Sequence, residues 1–186
     1  MRITDDRYTR DRLKFDLALR LIRHEARTGT IRDWTGLSDD RIRKLFRSYA
    51  EQLGERRVLR HRGKAPRQPA YFLRNSQLRL QSSALASILC QYELVDNGQV
   101  ASTGGSERLS WGELFCTAWE AFLSEHPRPS LGFEHACFLR RALERQRELA
   151  LDDCASCGSL LVVPAFGRRP ANCCFCGDAP LETLAP

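Results

Sequence analysis

Two Cys-x-x-Cys pairs, Cys154–Cys157 and Cys173–Cys176, constrain this chain more than any other feature, because four thiols at that spacing can converge on one metal ion. A Cys-x-x-Cys turn presents both sulfurs on one side of a tight knuckle. The 15 residues between the pairs are enough to bring the second knuckle round and complete a tetrahedron. Gly158 and Gly177 follow the pairs directly, where a residue without Cβ lets the backbone curl under the metal. The spacing points to one structural Zn2+ per chain, held by Cys154, Cys157, Cys173 and Cys176; two disulfides or four unrelated thiols are the alternatives. A catalytic zinc keeps an open position and mixes in His or carboxylate, whereas four cysteines close the shell. Cys174 lacks the knuckle symmetry and is set aside as a spectator. Cys90, Cys116 and Cys137 sit in apolar stretches and are expected as small core residues.

At 186 residues the chain suffices for one compact domain or two small ones. Charged residues are 28% and hydrophobic residues 42%, a globular balance. No stretch has the length and apolarity of a signal peptide or a membrane span, so a cytosolic protein is expected. In that reducing setting metal ligation and buried thiols account for eight cysteines better than disulfides do.

Charge is polarised along the chain. Residues 1–75 carry 20 Lys+Arg against 10 Asp+Glu, and residues 76–186 carry 9 against 13. A basic half of this kind is the footprint of a polyanion, usually nucleic acid, since cations near phosphates release condensed counterions. The cations concentrate in two places.

The first resembles a helix-turn-helix. Leu13, Leu17, Ala18, Leu21, Ile22 and Ala26 recur at helical spacing and predict a first helix through about residue 27. A short helix around Ile31–Thr35, a turn at Gly36 and a second helix starting near Ser38 follow. Ser38 is suited to the N-cap, and Asp39 and Asp40 oppose the positive end of the helix dipole. Ile42, Leu45, Phe46 and Tyr49 fall on one side, leaving Arg41, Arg43, Lys44 and Arg47 to face a DNA groove. Arg32 occupies the position where close helix packing usually takes a small residue. A purely structural helical hairpin is the rival interpretation.

The second place is a basic arm, ERRVLRHRGKAPRQP, in which Arg56, Arg57, Arg60, Arg62 and Lys64 have no alternating acidic partners. Pro66 and Pro69 favour an extended path, along which the cations would track phosphates or enter a minor groove; a solvated linker is the alternative.

Residues 76–150 are expected as three helices, over LRLQSSALASILCQYELV, WGELFCTAWEAFLSEHP and FEHACFLRRALERQRELAL, separated by turns at Asn97–Gly98, STGGS and HPRPSLG. Beyond them Leu160–Val163 is expected as a strand, with Gly167–Arg169 at the tip of a hairpin between the knuckles. The fold class expected is mainly α with a helix-turn-helix-like segment and a small C-terminal zinc-ribbon-like module of four cysteines. The divisions expected are a basic region at 1–75, a partner-binding helical region at 76–150 and the cysteine module at 151–186.

Enzyme chemistry has little support in the pattern. No phosphate-binding glycine motif is present, and His24, His61, His126 and His135 are scattered without a visible Ser or Asp partnership. A thiol enzyme using one Cys-x-x-Cys pair lacks the βαβ context such motifs keep. A non-enzymatic protein is expected.

Several segments resemble the flagellar transcriptional activator FlhC family. ARTGTIRDWTGLSDDRIRKLFRS looks like the family's Ala-Arg…Leu-Ser-x-x-Arg stretch, and RGKAPRQP is similar to its Pro-rich arm. SALASILCQYEL and AWEAFLSEHP resemble the corresponding family helices, and the four cysteines match its zinc ligands. The resemblance implies a transcriptional activator that forms a hetero-oligomer with an FlhD-like protein, binds promoter DNA of flagellar operons and recruits RNA polymerase. The alternative is a zinc-stabilised interaction scaffold that does not touch DNA.

Overall fold

The computed structural model describes residues 2–52, 61, 65–95 and 107–177. The fold is mainly helical: α1 (Arg2–Arg23), α2 (Thr28–Thr35), α3 (Asp39–Gln52), α4 (Ser76–Gln91), α5 (Glu107–Glu125) and α6 (Phe133–Arg145). A 3₁₀ helix spans Pro69–Leu73, and β1 (Leu149–Asp153) and β2 (Leu160–Pro164) form an antiparallel hairpin. Two compact units are present, one from residues 1–65 and 102–117, the other from 66–101 and 118–186. Residues 66–75 group with the second unit, which also holds the cysteine module, and α5 supplies residues through Thr117 to the first unit and later ones to the second.

In the first unit, Leu17, Ala18, Leu21 and Ile22 of α1 are fully buried, together with Ile31 of α2 and Ile42 of α3. Leu13, expected on the same stripe, is 52% exposed. The helix ends at Arg23 and not near residue 27. Glu25 takes a left-handed conformation (φ 59°), the Ala26 N–H bonds to Leu21 O at 3.0 Å, and the Glu25 N–H bonds to Ile22 O at 2.9 Å. That six-to-one and five-to-two pair satisfies the last carbonyls and stops the helix without a glycine. Trp34 of α2 stacks on Phe115 of α5 at 5.9 Å between ring centroids. Arg20 reaches the Glu113 carboxylate at 2.5 Å and Thr117 Oγ1 at 2.9 Å. Gly112 lets the same helix come close: a Cβ there would lie 2.7 Å from Leu17 Cδ2.

The second unit is built on α4, whose N-cap Asn75 accepts the Leu78 N–H at 2.8 Å. Pro66 and Pro69 do not hold an extended path throughout, since Pro69 opens the 3₁₀ helix at a position where its missing N–H costs nothing. That turn buries Phe72 and stacks Tyr71 on His135, with centroids 4.6 Å apart. His135 Nδ1 in turn accepts the Gly132 N–H at the start of α6 (3.2 Å).

The third middle helix is shorter than its sequence pattern. Gln146, left-handed at φ 48°, ends α6, and Leu149–Asp153, the start of which was expected as helix, forms β1. The hairpin pairs Leu149 with Pro164 and Asp153 with Leu160, so its tip is the first cysteine knuckle. Gly167–Arg169 is therefore not at the tip; it lies past the far end of β2, on the path to the second knuckle.

Candidate metal centre and cationic helix

Both knuckles close in the same way. The Gly158 N–H bonds to Cys154 O at 2.8 Å and the Gly177 N–H to Cys173 O at 3.1 Å, with φ of +69° and +79°, angles that a Cβ would strain. The four sulfurs of Cys154, Cys157, Cys173 and Cys176 all lie within 4.8 Å of one another. Cys154 Sγ is 3.8 Å from Cys176 Sγ, and Cys157 Sγ is 3.8 Å from Cys173 Sγ. A tetrahedron with metal–sulfur bonds of about 2.3 Å has edges of about 3.8 Å, so the set fits one four-coordinate metal ion. Each knuckle gives one buried cysteine, Cys154 or Cys173, and one exposed one, Cys157 or Cys176.

The surroundings favour thiolates. Hydrogen bonds from the Ser159 hydroxyl and then its backbone lower the Cys157 thiol to about 6. Burial raises Cys173, but the backbone N–H groups of Cys176 and Phe175 outweigh it, and the net direction is down. Burial pushes Cys174 up. Its sulfur lies 3.8 Å from Ser83 Oγ on α4, outside the four-sulfur cluster. Cys116 and Cys137 are buried and Cys90 half-buried within helices.

Small residues let α4 carry this centre. Ser82 and Ser83 are buried, and Ser83 Oγ accepts the Val162 N–H at 3.0 Å, docking β2 on the helix. Arg79 donates to Asn172 O at 3.3 Å, and Arg169 pairs with Asp152, so the loop before the second knuckle is held to α4 and to β1. The cleft left among these residues is about 50 Å³. Small-molecule sites run to about 300–1,000 Å³.

In the first unit, α2, Gly36 (φ +69°) and α3 form a helical pair whose turn follows the sequence expectation, although α2 begins at Thr28. Ser38 Oγ lies 3.5 Å from the Arg41 backbone nitrogen, a long contact for a cap. Thr35 closes the turn more firmly, donating to Ile31 O at 2.7 Å and accepting the Leu37 N–H at 3.2 Å. Arg32 is exposed and reaches Asp39 at 3.1 Å, so it does not obstruct the packing.

Ile42 and Phe46 are buried and Leu45 and Tyr49 are half-buried, and Arg23 Nε donates to the Tyr49 hydroxyl at 2.9 Å. Arg41, Arg43, Lys44 and Arg47 are all exposed. At about 100° per residue the apolar stripe and the cations take different sides of α3. Arg43 pairs with Asp40 at 2.6 Å. The side chains of Arg41, Lys44 and Arg47 make no ion pair among the described residues. Arg56, Arg57, Arg60, Arg62 and Lys64 lie outside the described residues. Sequence reasoning placed Asp40 at the helix dipole but missed its engagement of Arg43, and it missed Ser83 altogether; a serine on an apolar helix carries no pattern of its own.

No family model matches the chain, and no curated protein matches it. None of the helices among the described residues is long and apolar enough to cross a membrane.

Proposed function

We propose that this protein is a DNA-binding transcriptional activator of the FlhC kind, stabilised by one structural Zn2+ per chain. Arg41, Arg43, Lys44 and Arg47 of α3 approach the duplex, and Arg56, Arg57, Arg60, Arg62 and Lys64 of the arm follow its phosphates. The observation that carries this reading is α3 itself, docked by Ile42 and Phe46, with Arg41, Lys44 and Arg47 exposed on its other sides and in no ion pair among the described residues. Four thiolates close the coordination shell, so the metal holds the hairpin and second knuckle together and performs no chemistry. Structural zinc of this type contributes on the order of 10 kcal/mol of apparent folding free energy.

An FlhD-like subunit, RNA polymerase recruitment, flagellar promoters and a cytoplasmic location belong to this proposal through the family resemblance. Tyr8, Leu13 and Leu114, large apolar residues left exposed, support a partner surface on the first unit.

Changing Arg41, Lys44 and Arg47 together to Gln tests the helix. The log-affinity versus log-salt slope for duplex DNA should flatten by about 0.9 for each phosphate that these side chains neutralise. An unchanged slope removes α3 from the interface and favours the zinc-stabilised scaffold.

A further inference from the structure

The hairpin has a second end, opposite the cysteine knuckle, and its residues are not accounted for by metal binding. α6 finishes at Arg145, and Gln146 turns the chain through Arg147 and Glu148 into β1. On the return strand the Ala165 N–H donates to Glu148 O at 3.0 Å, which extends the ladder by one bond beyond Leu149–Pro164. The stretches 146–148 and 165–168 are therefore neighbours. Gly167, at φ +93°, bends the chain straight after Phe166.

Every residue from Arg145 to Glu148 and from Phe166 to Arg168 is exposed. Phe166 is 81% exposed, more than any other large apolar side chain among the described residues. Arg145, Arg147 and Arg168 make no ion pair among the described residues, whereas their neighbours Arg140 and Arg169 are engaged by Glu144 and Asp152. Glu148 is the one acid in these two stretches. Composition does not explain the cluster, because residues 76–186 carry more acidic than basic groups.

We propose that this end of the hairpin is a second nucleic-acid contact, in which Arg145, Arg147 and Arg168 bind backbone phosphates and Phe166 packs on a sugar or base. The inference rests on the DNA-binding function proposed above and adds a site on the other unit. Planar guanidinium groups match phosphate oxygens two at a time, and an exposed aromatic ring beside them supplies a stacking surface. An anionic membrane would use the same cations. It would need a larger apolar insert than one phenylalanine followed by Gly-Arg-Arg.

The test uses the full chain loaded with zinc and a fluorescently labelled mixed-sequence duplex, followed by anisotropy over a series of salt concentrations. The variants are Arg145→Gln/Arg147→Gln/Arg168→Gln, Phe166→Ala, and Arg168→Gln alone, whose loop position removes concern for α6; zinc content and far-UV circular dichroism verify folding. The triple variant should flatten the salt slope by about 0.9 for each phosphate no longer neutralised, and Arg168→Gln alone by about 0.9 in total. Phe166→Ala should weaken binding roughly fivefold or more with its slope intact. If these variants bind like the parent while the α3 variant is weakened, the second site is wrong and the proposed function stands. A parent chain that ignores duplex DNA even at low salt overturns both. Loss of binding to phosphatidylserine vesicles with DNA affinity unchanged assigns the patch to a membrane and also overturns the inference.

Discussion

Ser83 Oγ accepts the backbone N–H of Val162 at 3.0 Å, a buried bond between α4 and β2 that spans 79 positions of sequence. Ser83→Ala leaves that N–H unpaired where water does not reach it. The substitution should cost about 1–3 kcal/mol, read as a lower urea midpoint in zinc-loaded protein. Unchanged stability would mean that β2 does not depend on this serine.

Cys154→Ser or Cys173→Ser should abolish stoichiometric zinc, measured by elemental analysis after dialysis, whereas Cys174→Ser should keep it. Cys174 faces Ser83, and the other two belong to the four-sulfur cluster. Equal zinc depletion in all three variants would bring Cys174 into the ligand set.

Acid should release the metal. Ser159 lowers Cys157 to about 6, so its thiolate form persists at neutral pH and its contribution disappears as pH falls through that value. A chromogenic chelator should detect little zinc at pH 8 and rising release as pH falls below about 6, where protons begin to compete with the metal for that sulfur. Release that grows with rising pH would contradict the assignment.

Asp40→Asn should strengthen duplex binding by about threefold or more at low salt, since it frees Arg43 and removes a negative charge from among Arg41, Lys44 and Arg47. The same change should lower helix stability by about 0.3–1 kcal/mol, because Asp40 sits at the positive end of the α3 dipole. Weaker DNA binding by this variant, with its fold intact, would place the acid on the recognition surface as a contact.

Gly112→Val should destabilise the first unit by about 1–3 kcal/mol, seen in thermal melts, because Leu17 already fills the space over that glycine. A neutral result would mean that α1 can move aside.

The parts of this fold legible in sequence are those governed by near neighbours. The cysteine knuckles and the α2–α3 turn at Gly36 are set by spacings of a few residues, and both are in the structure. Helix ends are less legible, because the left-handed stops at Glu25 and Gln146 use residues whose type does not announce them. The unannounced stop at Gln146 also hides β1, since Leu149 continues the helical apolar pattern of α6. The packing of β2 on Ser83 and the contribution of α5 to both units depend on contacts distant in sequence, which periodicity does not encode. Arg43 illustrates the same limit at the proposed interface: its charge is visible in sequence, its engagement by Asp40 only in the fold.

The most direct measurement is a duplex titration of the zinc-loaded full chain across a salt series. The exposed cations Arg41, Lys44 and Arg47 on α3 predict binding whose log-affinity falls linearly with log-salt, with a slope of about −3 or steeper. Absence of binding at low salt, or a slope near zero, would contradict the account.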